Sequence, residues 1–243
     1  MPPTEKLIMI WNYQFGHKRK LEQQASDVGL TLIESLVAIS VIGITAASIG
    51  PVILISAATR IQSQQAEQAL QVAQSEIDRV RQIVEQGFVD DGSGGSREYN
   101  AADLSIASTP MAIATAFDAA APTGVNPDFD PGNYLIAREI YVDGNREPDF
   151  AVQAYRLGAR ELANGGRPIA FPMGVRVYAY DAVADGGASE TTPARLGTAA
   201  GFGERDEKPL AVLYTEIVKS DERQSLCDYF TYQGTPPAAL DCS

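Results

Sequence analysis

The sequence predicts an α+β fold: a long N-terminal α-helix, membrane-spanning in its first half, packed on a C-terminal antiparallel β-sheet. Three observations carry this. Ser35 to Thr59 is a run of 25 residues without a charge. The polar sequence that follows keeps apolar residues at helical spacing. Four short β-rich runs with turn residues between or after them occupy the last half of the chain.

The 243 residues leave room for one or two domains, and 45% hydrophobic content is enough for a core. A net charge of −12 argues against a sequence-independent hold on nucleic acid phosphates, so no nucleic acid partner is expected. Residues 1–29 differ from the rest, with four bases (Lys6, Lys18, Arg19, Lys20) against three acids (Glu5, Glu22, Asp27). The only histidine, His17, and the only tryptophan, Trp11, also lie there.

At 1.5 Å per residue the uncharged run exceeds a hydrocarbon core of about 30 Å. It is too long for the apolar region of a secretory signal peptide, which a small-residue cleavage site should promptly follow. Lys18, Arg19 and Lys20 on the near side and Arg60 on the far side weakly favour a cytoplasmic N-terminus and an exported C-terminal part. The expected location is therefore the inner membrane, crossed once.

One carboxylate, Glu34, stands at the mouth of the run in Asp27-Val28-Gly29-Leu30-Thr31-Leu32-Ile33-Glu34. An acid inside the apolar zone costs up to about 2.5–3.5 kcal/mol near a helix centre and less toward its end, so it calls for a partner. These residues resemble the type IV prepilin signature, in which cleavage follows a glycine, an apolar residue becomes the new N-terminus and glutamate is fifth in the mature chain. Gly29, Leu30 and Glu34 match position for position. Gly43 and Pro51 stand where family members commonly place a glycine and a helix-bending proline. The resemblance covers residues 29–60. Leu30, where phenylalanine or methionine is more usual, and the 29-residue leader depart from the commonest pattern.

The resemblance implies a pilin-like subunit. Prepilin peptidase would cut after Gly29 and methylate the new Leu30 amine, Glu34 would pair with such an amine, and the helix would bundle with other pilin or pseudopilin subunits. A mature length of 214 residues favours a minor subunit of a type IV pilus or a type II secretion-like pseudopilus. The acidic ectodomain and long leader are similar to those of cyanobacterial pseudopilins of hormogonium polysaccharide secretion. The rival reading is a singly anchored envelope protein whose ectodomain binds a ligand or catalyses a reaction.

The expected divisions are a leader (1–29), the transmembrane and assembly half of the helix (30–59), its amphipathic half (60–86) and a β-rich exported domain (87–243). Ile61, Ala66, Leu70, Ala73, Ile77, Val80 and Val84 predict a continuous helix from about Thr31 to about Glu85, with Gly87 as its stop. Pro51 should kink or locally melt it. Asp90 to Ser96 reads as a flexible connection and residues 97–130 as irregular. Strands are expected at 134–142, 150–157, 174–180 and 210–218, with turns at Asp143-Gly144-Asn145 and Asp185-Gly186-Gly187.

Cys227 and Cys242 enclose fourteen residues. In an oxidising compartment they could close a disulfide that stabilises by about 3 kcal/mol on the chain-entropy model. Two unpaired thiols are the alternative. Asp90-Asp91 and Asp128-Phe129-Asp130 match no EF-hand pattern and read as solvated loop acids, with calcium binding as the minor alternative, so no metal site or cofactor is expected. A chain without histidine after the leader cannot build a Ser-His-Asp or Cys-His unit, and the expectation is a building block rather than an enzyme.

Overall fold

The computed structural model describes residues 31–142, 144, 146–195, 204–220, 227, 230 and 232–234. By its internal contacts the chain divides into Met1–Pro51 and Val52–Ser243. In the first unit the described residues are helical from Leu32 onward. The helix, α1, is assigned from Leu32 to Gln86, 55 residues, and its assignment is unbroken at Pro51. The local melting expected at that proline is absent, because losing one hydrogen bond leaves the rest of the ladder in place. Gly87 ends α1 in a left-handed conformation (φ +75°), and its N–H bonds the Ile83 carbonyl at 3.0 Å. Glycine fits this C-terminal cap because it has no Cβ to strain.

In the second unit, α1 is followed by β1 (Phe88–Asp90), β2 (Ser96–Glu98), β3 (Ala107–Ser108), β4 (Gly124–Asn126), β5 (Ile136–Ile140), β6 (Phe150–Arg156), β7 (Leu162–Asn164) and β8 (Arg167–Ala179). Two short helices, α2 (Tyr180–Ala184) and α3 (Glu204–Glu207), precede β9 (Ala211–Val218). Consecutive antiparallel pairings join β5 to β6, β6 to β8 and β8 to β9.

The sheet is mixed rather than antiparallel, correcting the expectation. β3 lies parallel to β6 and β4 parallel to β5. Both additions come from the stretch read as irregular, and their two or three residues are too short to show a period of two.

All four expected strands form, and three further features were not foreseen. The stretch read as a flexible connection is the turn of a β1–β2 hairpin. The Asp91 carboxylate orders it by accepting the Ser93 and Gly95 N–H groups at 2.9 and 3.0 Å. β8 begins seven residues before the expected start, and Gly165-Gly166, at φ +60° and +82°, turn the β7–β8 hairpin.

Sheet alternation separates two faces. Phe150 and Val152 of β6, with Phe171, Met173, Val175 and Val177 of β8, pack on Ala69, Ala73, Ile77, Val80 and Val84 of α1. The helix stripe is rotated from the expected one: Leu70 remains 39% exposed, while Ala69 and Glu76 are buried. A helix drawn close to a sheet favours alanine at the contact over leucine. The opposite sheet face is covered by residues 113–134, α2 and their flanks.

Candidate membrane and assembly site

Gly29 and Leu30, the expected cleavage and methylation residues, lie outside the described residues, as does Cys242. Cys227 is buried and disulfide-bonded.

The described chain opens on Thr31, whose Oγ1 accepts the Glu34 N–H at 3.3 Å. Thr31-Leu32-Ile33-Glu34 therefore has the spacing of a capping box, a signal the motif-based reading passed over. Glu34 occupies the first turn, where the positive end of the helix dipole favours a carboxylate. It is exposed and makes no ion pair among the described residues. Its acid is thus available to a partner outside its own helix.

On both sides of Glu34 most described side chains of the first unit are exposed. Ile33 is 70% exposed and Ile44 71%. In the second unit Val52–Ile55 are likewise exposed. The helix is long and apolar enough to cross a membrane, and none of its most apolar stretch is buried. Ser40, Thr45, Ser48 and Thr59 each donate their hydroxyl to a carbonyl three or four residues earlier, at 2.8–2.9 Å. These polar groups therefore need no water in a hydrocarbon environment. Around Gly43 there is open space, so its bare backbone is free for close approach by another surface.

Glu76 and Arg176 are among the buried charges of the second unit that escaped the sequence reading. Glu76, 5% exposed, accepts from Arg79 one turn on and from Arg138 of β5, both at 2.7 Å. Arg79 also reaches the Leu104 carbonyl at 2.6 Å, tying the covering loop to α1. An acid on the apolar stripe beside Ala73 and Ile77 was the available signal. The cavity beside Glu76 holds about 10 Å³, space for one water.

Arg176 is fully buried on the other sheet face. It donates to the carbonyls of Ala116 (3.2 Å), Phe117 (3.3 Å), Ala119 (2.6 Å) and Ala120 (3.2 Å), and to the Tyr214 hydroxyl (3.1 Å). Its guanidinium lies 5.2 Å from the Tyr155 ring centre and 5.8 Å from that of Tyr214. Burial pushes the Tyr155 phenol above its ordinary range, and that hydroxyl donates to Ala116 O at 2.6 Å. The cluster is a hydrogen-bonded staple holding residues 116–120 on the sheet. Among the described residues no group of three or more His, Cys, Asp or Glu side chains could hold a metal ion.

Compared with protein-family models, with curated proteins and with solved structures, the chain matches none.

Proposed function

We propose that the chain is a pilin-like subunit, a minor pilin or pseudopilin. In this reading prepilin peptidase cuts after Gly29 and methylates the Leu30 amine. The mature helix stands in the inner membrane with the β-rich part exported, then joins other pilin or pseudopilin subunits in a type IV pilus or a type II secretion-like pseudopilus. The observation that carries this is the largely exposed apolar surface of α1 from Leu32 to Ala57, whose one charged group is the Glu34 carboxylate in its first turn. Water is a costly environment for such a surface, so lipid and then neighbouring helices are its natural surroundings.

Glu34 fits the pairing role because opposite charges attract strongly in a low dielectric, while a wrong register leaves both unpaired. Gly43 would then serve close helix packing, and Pro51 local adaptation of the helix during assembly. No step of this function asks the chain to catalyse a reaction.

The test is the filament fraction. Wild-type chain should co-purify with sheared pili or with a cross-linked pseudopilus, and Glu34→Leu should stay in the membrane without entering either. Normal incorporation of Glu34→Leu would refute the register role, and a wild-type chain found only as an unassembled membrane protein would overturn the assembly reading.

A further inference from the structure

We propose that Asn164, at the β7–β8 turn, is a site of self-modification: its side-chain amide is lost as ammonia through attack by the main-chain nitrogen of Gly165, and Arg167 assists the step.

The turn leaves both reacting groups open. Asn164 ends β7 and pairs with Arg167 across the two glycines, and residues 163–166 are exposed. A Cβ built on Gly165 would meet nothing within 4 Å, so no neighbour shields its nitrogen. Other described asparagines lack this freedom. The Asn100 amide oxygen accepts the Ala102 N–H at 2.9 Å, that of Asn126 the Asp128 N–H at 3.0 Å and that of Asn133 the Leu135 N–H at 3.0 Å. Each carboxamide is thereby held in place, whereas Asn164 makes no side-chain hydrogen bond among the described residues. The residues that follow those three are Ala101, Pro127 and Tyr134. Proline has no N–H to lose, and the Cβ of alanine or tyrosine crowds the attack.

Arg167 acts on the same peptide group. Its Nε donates to the Asn164 carbonyl oxygen at 3.4 Å. When Gly165 loses its N–H proton, the charge spreads onto that oxygen, and a cationic donor there stabilises it. Glu98 holds the guanidinium from another side, its Oε1 lying 3.0 Å from Nη1. Ring closure needs Asn164 to leave its extended conformation. Strand β7 yields readily, because it has three residues, pairs with β8 alone and slips register between Leu162 and Ala163.

Hydroxide takes the Gly165 proton, the nitrogen bonds to Asn164 Cγ, the Cγ–Nδ2 bond breaks, and ammonia leaves with a proton from water. A second water opens the resulting succinimide at Cγ, giving aspartate, or at the main-chain carbonyl carbon, giving isoaspartate. Either product sets a carboxylate beside Arg167, where it competes with Glu98.

Full-length chain in detergent, warmed in mildly alkaline buffer and sampled by peptide mass, tests the site. The peptide holding Asn164 should gain one mass unit several-fold faster than those holding Asn100 and Asn133, and a protein isoaspartyl methyltransferase should label it. Asn164→Gln should abolish both signals. Arg167→Leu should slow the gain several-fold in the folded chain and leave it unchanged in urea, where the arginine no longer meets the carbonyl. Equal rates at Asn164, Asn100 and Asn133 in folded wild type would overturn the site, a comparison that holds whether or not the arginine variant folds. A folded Arg167→Leu chain that reacts as fast as wild type would overturn the arginine's part.

Discussion

Replacing Arg176 by methionine removes a buried cation whose charge is met by main-chain carbonyls, a hydroxyl and a side-chain amide, and the structure indicates which acceptors suffer. The Ala116 carbonyl keeps its bond from Tyr155, and that of Ala120 keeps the Gln153 amide at 2.9 Å. Among the described residues the carbonyls of Ala119 and Phe117 have no other donor, the Tyr214 hydroxyl loses two N–H groups and Gln153 Oε1 loses one. Each buried acceptor left unmet costs about 1–3 kcal/mol. Relief from holding an unpaired charge in the interior offsets part of that loss. The net expectation is a destabilisation of about 2–4 kcal/mol, a fall of about 4–16 °C in melting midpoint for a domain of this size. Arg176→Lys should recover only part, since one ammonium cannot span acceptors arranged around a planar fork. Thermal unfolding of the full chain in detergent, followed by the circular dichroism of the sheet, reads the effect. A midpoint for Arg176→Met equal to that of Arg160→Met, at a half-exposed arginine, would refute the staple.

Three further substitutions probe the same unit. Glu76→Leu should cost about 3 kcal/mol, the low end for breaking a buried pair, because Arg79 and Arg138 retain 33% and 26% exposure and can rehydrate; adding Arg79→Leu and Arg138→Met should restore most of the loss in equilibrium unfolding. Gly174→Ala would set a Cβ 2.5 Å from the Tyr155 ring, which Ala116 and Arg176 hold in place, so about 1–3 kcal/mol of overpacking is expected from the same melts. The Asp103 carboxyl is held below its ordinary value, first by its hydrogen bond from Arg97 and further by the Asn100 N–H. A carboxyl lowered by folding stabilises above its unfolded value, and that stability fades as pH falls through the folded one. Wild type should therefore lose stability below about pH 4 more steeply than Asp103→Asn, and parallel acid limbs would contradict this.

Much of the fold is legible because its longest elements have clear periods. The uncharged run, the helical spacing to Val84 and Gly87 locate α1 within a residue at each end. The first seven residues of β8 were hidden by Pro168 and Pro172, which normally demote a strand. Here the Pro172 carbonyl accepts the Leu157 N–H just past the end of β6, and that of Pro168 accepts the Tyr99 hydroxyl, so both prolines still contribute acceptors that tie the strand to its neighbours. The Gly165-Gly166 dipeptide was a readable hairpin signal. The parallel pairings of β3 and β4 were not readable, since they depend on where long loops return. Glu76 and Arg176 could be seen as charges among apolar neighbours, but Arg138 lies 62 residues from Glu76 and the hydrogen-bond partners of Arg176 lie 23 to 60 residues away, and only the fold brings them together. At the candidate site, the helix and Glu34 were legible from charge and spacing, and the Thr31 cap was readable too from its Thr-x-x-Glu spacing.

The central claim is that this chain is processed into an assembly subunit, and intact mass tests it most directly. Full-length protein should be recovered from cells lacking prepilin peptidase. In cells with the enzyme the chain should be shorter by residues 1–29, carry one added methyl group and lack tryptophan. A chain that keeps residues 1–29 in the presence of the enzyme would contradict the account and leave α1 as a plain anchor.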